Sequence, residues 1–99
     1  MRKLKNIDPG EVLKGKFLEP LGITAYRLSQ DTFILQTRTS EILKGRRRIT
    51  ADSALRFAKY FGTSAKFWLG FQDDYDLEEE GINKKSELDV IPKINTSAA

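Results

Sequence analysis

The sequence predicts an all-α domain of five helices followed by a short, partly flexible C-terminal tail. One observation is that helix-capping residues precede successive segments with helical apolar spacing. A second is that no segment before residue 80 alternates between apolar and polar residues as a strand does. A third is a closely spaced pair of short helices around residues 24–44, directly followed by a glycine and three arginines.

The first helix is predicted to begin at the segment DPGE, residues 8–11. Its aspartate is placed as the cap, its proline at the first helical position, and its glutamate three residues past the cap. Val12, Leu13 and Phe17 form the apolar side of this helix. The segment PLG at residues 20–22 is expected to end it.

The second and third helices form the closely spaced pair. Thr24 is predicted to cap the second helix. The third runs from about Leu35 to Lys44, and Gly45 suits the left-handed residue that ends many helices. Arg46, Arg47 and Arg48 follow directly. A short helix pair with a basic exit is typical of a helix-turn-helix, whose second helix enters the DNA major groove. The pattern therefore predicts a DNA-binding module.

Two further capped helices are predicted after this pair. Thr50 caps the fourth helix, which ends at Gly62. Ser64 caps a short, aromatic fifth helix from Ala65 to about Gln72.

The composition changes at Asp73. A dense acidic run is followed by a polar segment that we expect to be mobile, and then by the apolar run LDVIPKI, residues 88–94, which is compatible with a short edge strand. We therefore divide the chain into a helix-turn-helix DNA-binding domain, residues 1–77, and an acidic and polar tail, residues 78–99.

Composition narrows the class of protein. The chain has 99 residues, about one domain, with no cysteine and no histidine. No apolar run approaches the ~20 residues of a membrane span. The absence of cysteine fits a reducing cytoplasm, a location that we base mainly on the family resemblance described below. We expect neither a cofactor nor a metal. The missing histidine excludes His-based catalytic triads and histidine metal sites. We expect no enzyme, and a small ribonuclease stays a remote alternative.

The net charge of +3 is unevenly distributed along the chain. Residues 1–48 carry eleven basic and five acidic side chains, whereas residues 71–99 carry three basic and eight acidic ones. A basic front half favours a polyanionic partner, and the acidic end favours a different one. An unevenly charged solvated surface is the alternative interpretation.

Several segments resemble the HigA/VapI-type antitoxins of the Xre (lambda-repressor-like) helix-turn-helix superfamily. They are ITADSALRFAKYFGTSAKFWLGFQDDYDL at 49–77, IDPGEVLKGKFLEPLGIT at 7–24, YRL at 26–28 and SEILKGRRRIT at 40–50. The resemblance implies a five-helix domain that dimerises, represses its own operon and pairs with a small ribonuclease toxin of the HigB (RelE-like) class. It also implies a bacterial, nucleoid-associated protein. A solitary Xre-type repressor without a toxin is the alternative.

Three positions depart from the family pattern in or near the DNA-reading element. Phe33 stands where the turn usually has glycine, Thr32 where an apolar residue is usual, and Thr39 where the recognition helix usually buries isoleucine. A bulky residue in the left-handed region costs about 1–2 kcal/mol. One hypothesis is that the turn is remodelled and that Phe33 fills the volume left by Thr39.

The candidate DNA contacts lie on the helix pair and its basic exit. Gln36 is expected to pair with adenine, and Arg38 with guanine if it points outward. The basic residues after the third helix are expected to contact phosphates. The full candidate set is Thr24, Tyr26, Gln36, Thr37, Arg38, Ser40, Glu41, Lys44, Arg46, Arg47 and Arg48.

The fifth helix carries more large apolar groups than one face can bury. This excess suggests a second copy of the chain as partner. The expected homodimer residues are Phe67, Trp68, Phe71 and Tyr75. The acidic tail is expected either to cover a basic toxin, to pair with the other protomer, or to remain solvated without a function.

Overall fold

The computed structural model describes residues 6–95, and this part of the chain is all-helical. The first helix, α1, has α-helical turns at Pro9–Val12 and Glu19–Leu21 and a π-helical segment at Leu13–Leu18 between them. The other helices are α2 (Ala25–Thr32), α3 (Gln36–Leu43), α4 (Ala51–Phe61), α5 (Ala65–Asn83) and α6 (Lys85–Asp89). The five expected helices are therefore present, and a sixth short helix follows them.

All four predicted N-terminal caps are confirmed by hydrogen bonds. The side chains of Asp8, Thr24, Thr50 and Ser64 each accept a hydrogen bond from a backbone amide in the first turn of α1, α2, α4 and α5. These bonds satisfy amides that have no partner within the helix, which explains why each helix begins where it does. Leu35, the residue at the same position of α3, makes no such bond.

The core lies where α1, α2, α4 and α5 meet behind α3. Trp68 and Phe57 are fully buried, with ring centroids 5.3 Å apart, and Phe17 packs on Trp68 at 4.8 Å. The aliphatic part of the core consists of Leu13, Leu18, Leu28, Ile34, Ile42, Ile49 and Ala54. Burial of these groups supplies the main driving force that holds the short helices together.

The fifth helix is much longer than predicted. It continues past Gln72 through the acidic run to Asn83, so the prediction of a short helix ending near Gln72 was wrong. Arg48 binds Asp73 and Asp76 on this extension, and Asn6 donates hydrogen bonds to the Tyr75 carbonyl and the Glu79 carboxylate. Its inner face is held mainly by polar contacts, which an apolar pattern does not reveal.

The predicted edge strand is also absent from the described residues. Leu88 and Asp89 belong to α6, and residues 90–95 form no regular element. A lone strand has no neighbour to pair with in this all-helical domain. The domain boundary after residue 77 remains a prediction, and α5 runs across that position. Residues 1–5 of the predicted domain and 96–99 of the predicted tail lie outside the described residues.

Candidate DNA interface

The turn between α2 and α3 retains a left-handed residue although it lacks glycine. Phe33 has φ 60° and ψ 35°, and its side chain is 85% exposed. The hypothesis that Phe33 fills the space beside Thr39 was therefore wrong. Arg56 of α4 supports the turn, because its Nη1 donates hydrogen bonds to the carbonyl oxygens of Thr32 (2.9 Å) and Phe33 (3.3 Å).

The two threonines that depart from the family pattern are buried and satisfied. The Ser29 hydroxyl donates a 2.7 Å hydrogen bond to the Thr39 hydroxyl, and the Thr32 hydroxyl donates a 2.6 Å bond to the Leu28 carbonyl. Buried hydroxyls need such partners because desolvation without a hydrogen bond is costly. These hydrogen bonds within α2 and α3 stabilise the turn together with Arg56, and Phe33 does not repack into the space beside Thr39.

Helix α3 turns one side to the core and another to the solvent. Thr39 and Ile42 are buried on the inner side, whereas Gln36, Thr37 and Lys44 are exposed. Ser40 and Glu41, two further predicted DNA contacts, are half-buried. The outer side therefore brings together an amide, a hydroxyl and an ammonium group that are able to contact bases or phosphates.

Arg38 does not point outward. Its Nη2 lies 2.9 Å from Asp52 Oδ2 and donates further hydrogen bonds to the hydroxyls of Thr50 (3.3 Å) and Ser53 (2.5 Å). A guanine contact would require Arg38 to point outward, so the structure does not support it. Arg38 instead joins the recognition helix to the start of α4, a connection between residues more than ten positions apart that spacing did not reveal.

Asp52 is the centre of this connection. It binds Arg38 and also accepts two hydrogen bonds, of 3.0 and 3.1 Å, from Arg56 Nε. The hydrogen bonds from Arg56 and then Arg38 lower the pKa of the Asp52 carboxyl below its ordinary value. One carboxylate thus links Arg56 at the turn to Arg38 on the recognition helix.

The three consecutive arginines have different surroundings. Arg47 pairs with Glu41 at 2.8 Å, and Arg48 binds Asp76 at 3.1 Å and Asp73 at 3.5 Å. Arg46 is exposed, and no ion pair joins it to another described residue. The basic exit of α3 is therefore partly neutralised by the protein itself, with Lys44 and Arg46 as its available cations among residues 6–95.

The two candidates at the start of α2 are also on the surface. Thr24 is exposed while its hydroxyl caps the helix by accepting a 3.0 Å bond from the Arg27 amide. Tyr26 is 57% exposed, and its hydroxyl accepts a hydrogen bond from the Gln30 side chain. A cleft lined by Ala25, Tyr26, Ser29, Gln36 and Ser40 shows that these residues lie beside the start of α3.

The prediction that Trp68 lies in the dimer interface was wrong, whereas the other three predicted dimer residues are at least partly accessible. Trp68 is fully buried, and its Nε1 donates a 2.8 Å hydrogen bond to the Thr63 hydroxyl, so it belongs to the core of one protomer. Phe67 and Phe71 are each 38% exposed, with ring centroids 4.9 Å apart. Tyr75 is half-buried, and burial together with nearby Glu79 and Asp8 raises the pKa of its phenol.

Sequence reasoning missed two residues that support the interface. Arg56 holds the turn, and the buried Gln72 accepts a 2.7 Å hydrogen bond from the Ile49 amide directly after the three arginines. The position of Gln72 one helical turn after the buried Trp68 was the available signal for the second. The described residues contain no cluster of acidic side chains suited to a metal ion, and none of their helices is long and apolar enough to cross a membrane.

Comparison with known proteins shows what the chain resembles. No family model matches it. It is 39% identical over 92 residues to virulence-associated protein I of Dichelobacter nodosus, covering 93% of this chain and 84% of that protein. It is 37% identical over 79 residues to antitoxin HigA-1 of Vibrio cholerae, covering 78% and 74%. The solved structure of the Pseudomonas aeruginosa antitoxin HigA with higBA promoter matches with a TM-score of 0.88 at 29% identity, covering 92% of this chain and 100% of that one.

Proposed function

The chain belongs to the HigA/VapI-type antitoxins of the Xre-like helix-turn-helix class, and we propose that it binds operator DNA as a homodimer and neutralises a toxin. In this proposal it represses its own operon and binds a HigB-type, RelE-like ribonuclease toxin directly. The exposed outer side of α3, with its basic exit, is the observation that carries the DNA-binding part. Such a regulator acts at the nucleoid in the bacterial cytoplasm.

The proposed DNA contacts divide by chemistry. Gln36 and Thr37, at the start of α3, are placed to contact base edges in the major groove. Lys44 and Arg46 are placed to contact phosphates, which set affinity and register. We leave Arg38 out of the base-reading set because it binds Asp52. Its role in this proposal is to hold α3 at a defined angle.

Homodimerisation is supported by the aromatic rings left partly exposed on α5. Phe67 and Phe71 lie one helical turn apart and pack against each other edge to face. A second copy on this face would cover both rings. A two-fold dimer would then present two recognition helices about 34 Å apart to a palindromic operator. Sedimentation of the protein as a monomer at high micromolar concentration would contradict this part.

The proposed toxin contact is the far part of α5. Asp74 and Glu80 are exposed there, together with Leu77 (72%) and Ile82 (50%). A ribonuclease toxin must bind RNA and therefore carries a basic face, which this mixture of carboxylates and apolar groups suits. We propose no catalytic activity, because toxins of the RelE-like class resemble a compact β-sheet with helices, whereas residues 6–95 contain no strand.

Two measurements test the proposal. Co-expression with the neighbouring reading frame should relieve growth arrest and yield a stable complex that purifies through either protein. Titration of the operon's own promoter at several salt concentrations should show binding that weakens steeply with salt, yet exceeds binding to random DNA throughout. Promoter binding without toxin rescue would identify a solitary repressor. Rescue without promoter binding would show that the chain acts only through protein contact.

A further inference from the structure

Two large apolar side chains lie in water at the start of α3. Leu35 is 79% exposed and Phe33 is 85% exposed. Both line one open cleft of about 370 Å³ together with Gln30 and Gln36, so they lie beside the glutamine proposed to contact adenine. Neither packs against the hydrophobic core. The fold of the domain therefore provides no reason for an apolar group at either position.

Phe33 has an unfavourable backbone conformation that no packing offsets. Among the described residues it alone combines a side chain with positive φ, at 60°, where contacts of Cβ with the backbone are unfavourable. Arg56 holds the turn in this shape through the carbonyl groups of Thr32 and Phe33. Strain that the surrounding structure maintains without a local gain is concentrated at functional sites.

Leu35 occupies the cap position of α3 without capping it. Helices α1, α2, α4 and α5 each have a side chain that accepts an amide at this position, whereas leucine has no acceptor. A serine or threonine would stabilise the helix start. With leucine the start of α3 is less stable than with a capping serine or threonine, and an exposed isobutyl group lies next to Gln36.

We propose that Leu35 and Phe33 form an apolar edge that recognises the C5-methyl groups of thymine in the major groove. This methyl is the apolar feature that base pairs present in that groove, and among the four bases only thymine carries it. Gln36 adds an amide suited to adenine, so the two kinds of contact favour A·T pairs at the same end of α3. Lys44 and Arg46 at the other end of the helix favour a polyanionic partner over an apolar protein surface.

The inference rests on the proposed binding of operator DNA, and its test starts from that binding. The full-length protein first selects its strongest duplex from a random-sequence library. Each thymine of that duplex is then replaced in turn by deoxyuridine, which lacks only the C5-methyl. Removing a contacted methyl should weaken binding by about three- to fivefold, as expected for one buried methyl group. Methyls outside the contact should have no effect.

The variants Leu35→Ser and Phe33→Gly identify which side chains carry the discrimination. Serine is able to cap α3 and glycine relieves the positive φ, so both proteins should melt at the same temperature as the parent or higher. A melting temperature at or above that of the parent would show that a variant does not lose DNA binding by unfolding. Leu21→Ser is the matched control, since Leu21 is also more than half exposed but lies in the last turn of α1, outside every surface proposed for binding.

The proposal is supported if either variant abolishes the difference between thymine and deoxyuridine at the sensitive positions while Leu21→Ser retains it. It is overturned if no thymine is sensitive, or if both variants discriminate as the parent does. In those cases operator binding itself would stand. Failure to select any duplex above random DNA would overturn the proposed function, and this inference with it.

Discussion

The Ser29 hydroxyl donates a 2.7 Å hydrogen bond to the Thr39 hydroxyl where α2 and α3 pack together. Thr39 is 1% exposed and Ser29 is 5% exposed, so the bond is shielded from water. The isoleucine that the family resemblance leads us to expect at the Thr39 position would fill this contact by volume alone. Here a polar pair fixes how the recognition helix sits on the helix before it.

We expect the two hydroxyls to act as a unit. Thr39→Val removes the acceptor and leaves the Ser29 hydroxyl buried without it, which should lower the free energy of unfolding by about 1–3 kcal/mol. The double variant Ser29→Ala, Thr39→Val removes both polar groups and should recover much of that loss. Urea unfolding of the parent, both single variants and the double variant gives the coupling energy. Additive effects would show that the bond does not stabilise the contact.

Gln72 should be needed to order the segment that follows the arginines. Its side chain accepts from the Ile49 amide at 2.7 Å and donates to Asp76 at 2.9 Å. Gln72→Ala leaves a buried amide without a partner and should cost about 1–3 kcal/mol. Hydrogen exchange at the Ile49 amide should accelerate more than at amides in α1. The exposed Gln30 provides a matched control, because Gln30→Ala should change stability by less than about 0.5 kcal/mol.

Asp52 should make stability depend on pH in the acid range. Since its folded-state pKa is lowered from 3.8, its contribution is fully present above that value and is lost as the pH falls through the lower folded-state value. The difference in unfolding free energy between the parent and Asp52→Asn should therefore be largest above pH about 4 and shrink on acidification. In an Arg56→Ala background the effect of Asp52→Asn should be smaller. An equal effect of Asp52→Asn on the unfolding free energy in both backgrounds would show that Arg56 is not the main cause of the lowered pKa.

Arg46 and Arg48 should contribute unequally to DNA binding. Arg46 has no ion-pair partner among the described residues, whereas Arg48 is bound to Asp73 and Asp76. Arg46→Ala should weaken promoter binding and reduce the slope of log affinity against log salt by about one. Arg48→Ala should change both quantities less, because DNA would have to compete with the two carboxylates. Equal losses would mean that the acidic face of α5 releases Arg48 on binding.

The amino-acid sequence by itself determined where most of the helices begin and that α2 and α3 form a helix-turn-helix. Thr24, Thr50 and Ser64 cap amides three residues away, and Gly22 and Gly62 end their helices with positive φ. These interactions are local, so spacing along the chain is enough to predict them. The same holds for the order of α2, the turn, α3 and the basic exit.

The tertiary structure alone decided which side chains of that element remain available. Arg38 is turned inward by Asp52, fourteen positions away, and Arg48 is bound by carboxylates at least twenty-five positions away. Trp68 is placed in the core, and Phe33 in water. Such pairings depend on how helices pack, because partners distant in the chain meet only once the core has brought their helices together.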